Sequence, residues 1–523
     1  MKKRVYYRWK HLFGRVGLLA LFVGICIGNI QAEEVEKWKI FELTLHAEVK
    51  GNPYTDTRLS ARFIQADDTV CVDGFYDGGN TYKVRFMPSK EGKWKYETCS
   101  NVRKLNRRKG SFTCTPPQAG NHGPVSVADT FYLAYSDGTP YHPFGTTCYA
   151  WVHQPDTLIR RTLQTLSEGY FNKLRMCIFP KSYDWNKNEP ECYPYEKQVL
   201  DNWDFTRFNP DYFRHIEKQL AALDRLGIEA DLIVFHPYDR WGFARMSRAD
   251  DDRYIDYIIA RFAAYKNVWW SMANEFDFMK EKSNDDWTHY LEHFVQKDPY
   301  GHLRSIHNGV RIFDQHNPDI THVCIQNANT DAGKSLHEQY RKPVIFDECR
   351  YEGNTPWVWG NLTAQEMVHK FWTGVTRGAY AGHGETYITG YPRKSPFESD
   401  DVLWWSKGGV LHGQSPARIK FLRNIIEGSP GHLQPAPSLT GWMDYPVVTC
   451  QQRYYLVYFG FDQACQQLLH LPKDKEYRID IIDVWNMTIT PIKGVFRGDV
   501  WIDLPGRPMM ALRIRQTERP LVK

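Results

Sequence analysis

Two glutamates stand out for what precedes them. Glu275 follows the apolar run Val268–Asn274 (VWWSMAN), and Glu348 follows Lys342–Asp347 (KPVIFD), 73 positions apart. Short apolar runs bounded by polar residues fit strands buried on both faces, as in a parallel sheet. A carboxylate at the C-terminal end of such a strand is where barrel enzymes put their chemistry. Two carboxyl groups on either side of one bond can protonate a leaving oxygen and attack the adjoining carbon, which is what glycoside cleavage requires.

The second carboxylate has rivals. Side chains alternate along a strand, so Val344, Phe346 and Glu348 share one side and Ile345 and Asp347 the other. Asp347 and Glu348 therefore cannot both face a sugar, and Glu352 is a third candidate. Other polar and aromatic residues cluster at strand ends. Arg175 offers a guanidinium fork that keeps a neighbouring carboxylate ionised. His236 (VFHPYDRW), His307 (SIHNG), and His383, Glu385 and Tyr387 (AGHGETYI) can hydrogen-bond hydroxyls or carboxylates. Trp357, Trp359, Trp404 and Trp405 are candidate platforms for the apolar faces of sugars, whereas Trp269 and Trp270 read as strand packing. Because His383-x-Glu385 has no third ligand at a familiar spacing, no catalytic metal is expected, a structural cation stays open, and no cofactor is expected. Ala332-Gly333-Lys334-Ser335 lacks the upstream glycine of a phosphate loop, since residue 328 is Ala, and no GxSxG nucleophile elbow occurs.

The elements that must hold these groups alternate in type. Eight strand candidates, Tyr141–Trp151, Phe171–Phe179, Glu229–Phe235, Val268–Asn274, Arg304–His307, Ile320–Gln326, Lys342–Phe346 and Ala379–Tyr387, are interleaved with amphipathic stretches at Thr157–Leu166, Pro210–Leu226, Ala249–Tyr265, Trp287–Asp298 and Ala364–Thr373. That repeat predicts an α/β fold, a (β/α)8 barrel over 123–430. Before it, 33–122 reads as a small β-sandwich of short alternating runs with turns such as Asp77-Gly78-Gly79-Asn80. After the Pro/Gly-rich stretch Gly428–Pro437, residues 431–523 read as a second sandwich.

Composition bounds the partners. Of the 66 basic residues six fall in 1–32, with none of the 61 acidic ones, leaving 60 against 61 beyond that point. The basic balance thus belongs to an N-terminal segment, a basic run followed by apolar Val16–Ile30, which reads as an export signal too short for a comfortable membrane span. Nucleic acid is not an expected partner, and no stable membrane insertion is expected after signal cleavage. Periplasmic or secreted location follows. Aromatics make up 15% of the chain, which suits stacking on flat ligand faces. Ten cysteines beyond residue 32 show no CxxC pair or zinc spacing, and no disulfide pairing is assigned.

These motifs resemble known families. GNPYTDTRLSARF and VDGFYDGGNTYKVRFMPSKEGKWKYET resemble an immunoglobulin-like sandwich that precedes the catalytic barrels of bacterial polysaccharide-degrading enzymes. YRIDIIDVWNMTITPIKG…WIDLPGRPMMALRI is similar to the sandwich that completes them. Asn274-Glu275 after strand four and Glu348 after strand seven resemble the retaining barrel glycosidases of clan A, and HPFGTTCYAW and FNKLRMCIFPKSYDW resemble the apiosidase-like barrels. The resemblance implies Glu275 as acid/base, Glu348 as nucleophile, Asn274 on the sugar 2-hydroxyl and Arg175 beside the nucleophile. It implies an exported retaining glycoside hydrolase acting on a poly- or oligosaccharide. A furanoside-specific hydrolase and a barrel that binds carbohydrate without cleaving it are the alternatives.

Overall fold

In a computed structural model of the chain, residues 33–197, 202–388 and 403–517 are described; the expected export signal lies outside them. The centre is a parallel sheet whose strands are β1 (Gly145–Thr147), β2 (Lys173–Cys177), β3 (Glu229–Phe235), β4 (Val268–Ala273), β5 (Arg304–Ser305), β6 (Val323–Gln326), β7 (Val344–Glu348) and β8 (Tyr380–His383). They pair in the order β5-β4-β3-β2-β1-β8-β7-β6, the circular order of a barrel. Only the β5/β6 seam lacks a strand ladder. There Thr321 N–H donates to Arg304 O at 2.9 Å, and Arg304 N–H to Thr321 Oγ1 at 2.7 Å.

β2, β3, β4 and β7 are buried along their whole length. That explains why they read as near-continuous apolar runs. Local chemistry starts the helices between them. Asn209 caps helix Pro210–Arg225, whose proline sits at the first turn; Ser247 caps helix Arg248–Phe262. Ser283 with Asp286 and Thr363 with Glu366 form capping boxes on Asn284–Lys297 and Ala364–Thr376. Helices at Gly333–Tyr340 and Ser415–Glu427 were not expected from periodicity; the first contains the Gly-Lys-Ser dismissed as a phosphate loop.

Seven strands of the N-terminal region form one sheet that folds over itself. Strand Asp68–Tyr76 pairs with Leu59–Gln65 up to Asp73 and with Thr81–Phe86 from Gly74 onward. Gly74 is required at this crossing: a Cβ there would lie 2.8 Å from the Leu59 side chain and 2.9 Å from Lys83 O. The core stacks Phe63 on Phe86 and Phe41 on Phe112. A buried ionic network ties this sheet to the barrel helices. Arg85 grips Glu217 through both terminal nitrogens at 2.7 and 3.0 Å, while Arg261 donates to Glu217 at 2.6 Å and to Asp77 at 2.8 Å.

The C-terminal region is also β, with Met510–Gln516 central between Tyr454–Tyr458 and Tyr477–Asp483. It shares a continuous apolar core with the barrel, in which Trp372 meets Tyr458. Among the described residues no helix is long and apolar enough to cross a membrane, and all ten cysteines are unpaired.

Candidate active site

β4 and β7 end on the same face of the barrel, and each delivers one glutamate. Glu275 leaves β4 with φ 52° and ψ 55°, a left-handed conformation that costs a non-glycine residue about 1 kcal/mol or more. Backbone bonds hold it there: Asn274 N–H donates to Phe235 O and Phe276 N–H to His307 O, both at 3.0 Å. Asp277 clamps the next loop, accepting from the backbone N–H groups of Gly309, Val310 and Arg311.

A chain of polar contacts connects the two carboxylates. Asn274 Nδ2 donates to Glu275 Oε2 at 3.0 Å. Asn274 Oδ1 accepts from Arg175 at 2.7 Å and lies 3.0 Å from the Tyr149 hydroxyl. That hydroxyl makes a short hydrogen bond to Glu348 Oε1, which also lies 3.4 Å from Arg175 and 3.9 Å from His307 Nε2. Tyr238 makes the matching short bond to Glu275 Oε2. One phenol therefore serves each glutamate.

The environments of the two acids differ. Burial, and after it the negative charge of Glu348, pushes the Glu275 carboxyl up to about 7; Lys181, the Tyr238 hydrogen bond and Arg175 pull the other way. Glu348 instead has a guanidinium and a phenol on one oxygen. His307 is neutral, its pKa driven well down by burial and then by Arg175. These groups sit against a ring wall of Tyr149, Tyr183, Tyr351, Trp359 and Trp405.

The competing carboxylates are engaged elsewhere. Asp347 points into the barrel interior, bonded to Lys173 at 2.7 Å and accepting from the Cys324 thiol at 2.9 Å. Lys173 also holds Asp231 at 2.6 Å. Glu352 is fully buried and receives the first turn of helix Ser415–Glu427, accepting from Gln414 N–H, Ser415 N–H and the Ser415 hydroxyl.

Four groups expected to meet substrate make other contacts in this structure. His383 is buried under Phe171 with Nδ1 2.9 Å from Thr146 Oγ1. Trp404 is buried and donates to that same Thr146 oxygen at 2.8 Å. Tyr387 donates to Glu352. His236 donates from Nε2 to Phe179 O at 3.2 Å, below the loop that carries Lys181. By contrast Asn274, Arg175, His307, Trp359 and Trp405 stay with the two glutamates or their ring wall.

The third group missing from His383-x-Glu385 is Glu352: one ligand atom from each of the three lies within 4.8 Å of the others. In this structure the two carboxylates hold backbone N–H groups, Glu385 those of His412 and Gly413. A second such group, Asp252, His289 and His293, lies between helices Arg248–Phe262 and Asn284–Lys297.

The family model of the apiosidase-like catalytic domain matches residues 128–428. A solved structure of a candidate glycoside hydrolase from Bacteroides vulgatus ATCC 8482 is 42% identical, covering 93% of this chain and 100% of its own, with a TM-score of 0.87. The chain belongs to the apiosidase-like glycoside hydrolases. A family 5 glycoside hydrolase from the same organism shares the fold at 15% identity and TM-score 0.60, over 77% of this chain and 95% of its own. Flanking this apiosidase-like domain, residues 34–101 and 442–515 match two domains of unknown function, DUF5060 and DUF5605. No curated protein matches.

Sequence reasoning missed Tyr149, Tyr238, Lys181, Tyr183 and Tyr351 in this apiosidase-like site. A signal existed for four. Tyr149 lies two residues beyond β1, Tyr238 just past β3, and Lys181 and Tyr183 just past β2, all inside the quoted motifs HPFGTTCYAW, VFHPYDRW and FNKLRMCIFPKSYDW.

Proposed function

We propose that this enzyme hydrolyses O-glycosidic bonds of a poly- or oligosaccharide with retention of configuration, with Glu348 as nucleophile and Glu275 as acid/base. Glu348 attacks the anomeric carbon while Glu275 gives its proton to the departing oxygen, leaving a glycosyl ester on Glu348. Glu275, now ionised, takes a proton from water, whose oxygen displaces Glu348 and restores both acids. Asn274, Arg175, His307, Trp359 and Trp405 are assigned to substrate or nucleophile support. Asn274 uses one amide hydrogen on Glu275 and keeps a second for a sugar hydroxyl.

The observation that carries this reading is the asymmetry of the pair. A proton donor must be protonated near neutral pH, and Glu275 at about 7 meets that need. A nucleophile must have its oxygen held in place for attack, and Glu348 Oε1 is set against Arg175 and the Tyr149 hydroxyl. Export to the periplasm or medium belongs to the same proposal and rests on the basic-then-apolar segment within 1–32. Glu275→Gln and Glu348→Gln should each abolish turnover on a glycan panel, and proton NMR of the first-released sugar should show the retained anomer. Wild-type turnover in either variant, or an inverted first product, rejects the proposal.

A further inference from the structure

The interior cations of the barrel are not treated alike. Lys173 is held by Asp231 and Asp347, and Arg175 by Asn274 and Glu348, with Asp231 3.9 Å from its Nε. Lys181, four residues beyond β2, is just as buried at 2% exposure. Yet among the described residues its ammonium makes no hydrogen bond and no ion pair. Its surroundings are ring faces. Nζ lies 3.5 Å from the ring centre of Tyr149, 4.2 Å from Tyr238, 4.5 Å from Tyr183 and 5.9 Å from Trp405.

Those rings fix where the ammonium is. Tyr149 is bonded to Glu348 and Tyr238 to Glu275, so Nζ stands between the two phenols that serve the two glutamates. Ring quadrupoles attract a cation but accept none of its three N–H groups as a carboxylate would. A desolvated ammonium without an acceptor is unfavourable, and this one is held in position by the packing of four rings around it. Glu275 and Glu348 act on this ammonium through space, yet among the described residues neither bonds it directly.

We infer that Lys181 is a specificity-determining residue that binds the carboxylate of an acidic sugar, a uronate, within one ring of the scissile bond. This deepens the glycosidase reading and rests on it. A uronate carboxylate would supply the direct acceptor that the ring faces do not, and charge-assisted bonds of this kind are the strong ones.

Calorimetric titration with free D-galacturonate, D-glucuronate and D-mannuronate, each beside its neutral sugar, tests the inference on wild type and Lys181→Met. Wild type should bind at least one uronate about ten-fold or more tighter than its neutral partner, and Lys181→Met should erase that preference. Lys181→Arg should retain part of it, which a merely structural lysine would not predict. Circular dichroism and melting of Lys181→Met check that the fold persists. The inference is overturned if wild type binds no uronate, prefers the neutral sugars, or keeps its preference in folded Lys181→Met. Hydrolysis of a neutral glycan with no uronide cleaved overturns it too, while leaving the glycosidase reading intact; inactivity on every glycan would instead count against that reading.

Discussion

Tyr238 is the most informative single change, because it separates the charge of Glu275 from its placement. Its hydroxyl donates to Glu275 Oε2, an arrangement that favours the ionised carboxylate and so holds the pKa down against burial and Glu348. Tyr238→Phe removes that donor and leaves Asn274 Nδ2, 3.0 Å away on the same oxygen. A hydrogen bond to a charged group contributes about 1.5–3 kcal/mol, and one pKa unit is about 1.4 kcal/mol. Losing the bond should therefore raise Glu275 from about 7 by roughly one to two units. Glu275 must carry its proton to start the reaction, so its titration sets the basic limb of the kcat/KM profile. The assay is that profile for wild type and Tyr238→Phe between pH 4 and 10. The limb should lie near pH 7 in wild type and move alkaline in the variant. A limb that stays in place, or moves acidic, refutes Glu275 as the proton donor under Tyr238 control.

Two further predictions concern stability. The Glu275 carboxyl is raised in the folded protein from an ordinary 4.5 to about 7, so the fold binds its proton more tightly than the unfolded chain. That contribution is complete below pH 4.5 and is lost as pH rises through 7, at most about 3 kcal/mol. Glu275→Gln should therefore melt higher than wild type above pH 7 and show little difference near pH 4, which paired calorimetric scans would check. Glu352→Ala should lower stability by about 2–4 kcal/mol, because it strips acceptors from the buried first turn of Ser415–Glu427. Urea unfolding should separate it from Glu348→Gln, whose stability should stay near that of wild type.

The barrel was legible because its strands are buried on both faces and its helices carry ordinary caps; apolar runs and Ser/Thr/Asn starts are local signals. Strand Met510–Gln516 and the first strand, Glu33–Glu36, escaped notice since their identity as strands depends on distant partners. The site divides in the same way. Alternation along β7 left Asp347 or Glu348 as the choice, and Lys173, 174 residues before Asp347, decides which of them is occupied in the interior. No spacing rule announces that contact. His383 and Trp404 looked like site residues because they lie at strand ends, yet Thr146 claims both. The positions of Lys181 and Tyr149 just past strand ends were visible in sequence; their importance comes from the rings and carboxylates that other strands bring to them.

The central claim is that Glu348 forms a covalent ester with the sugar. Incubation with a panel of activated 2-deoxy-2-fluoro glycosides, neutral and uronic, followed by intact mass and peptide mapping, tests it directly. One adduct per chain, on the peptide containing Glu348 and absent from Glu348→Gln, is the predicted result. An adduct on Asp347 or Glu352 would contradict it, as would an unmodified enzyme that turns over the parent glycoside with inversion.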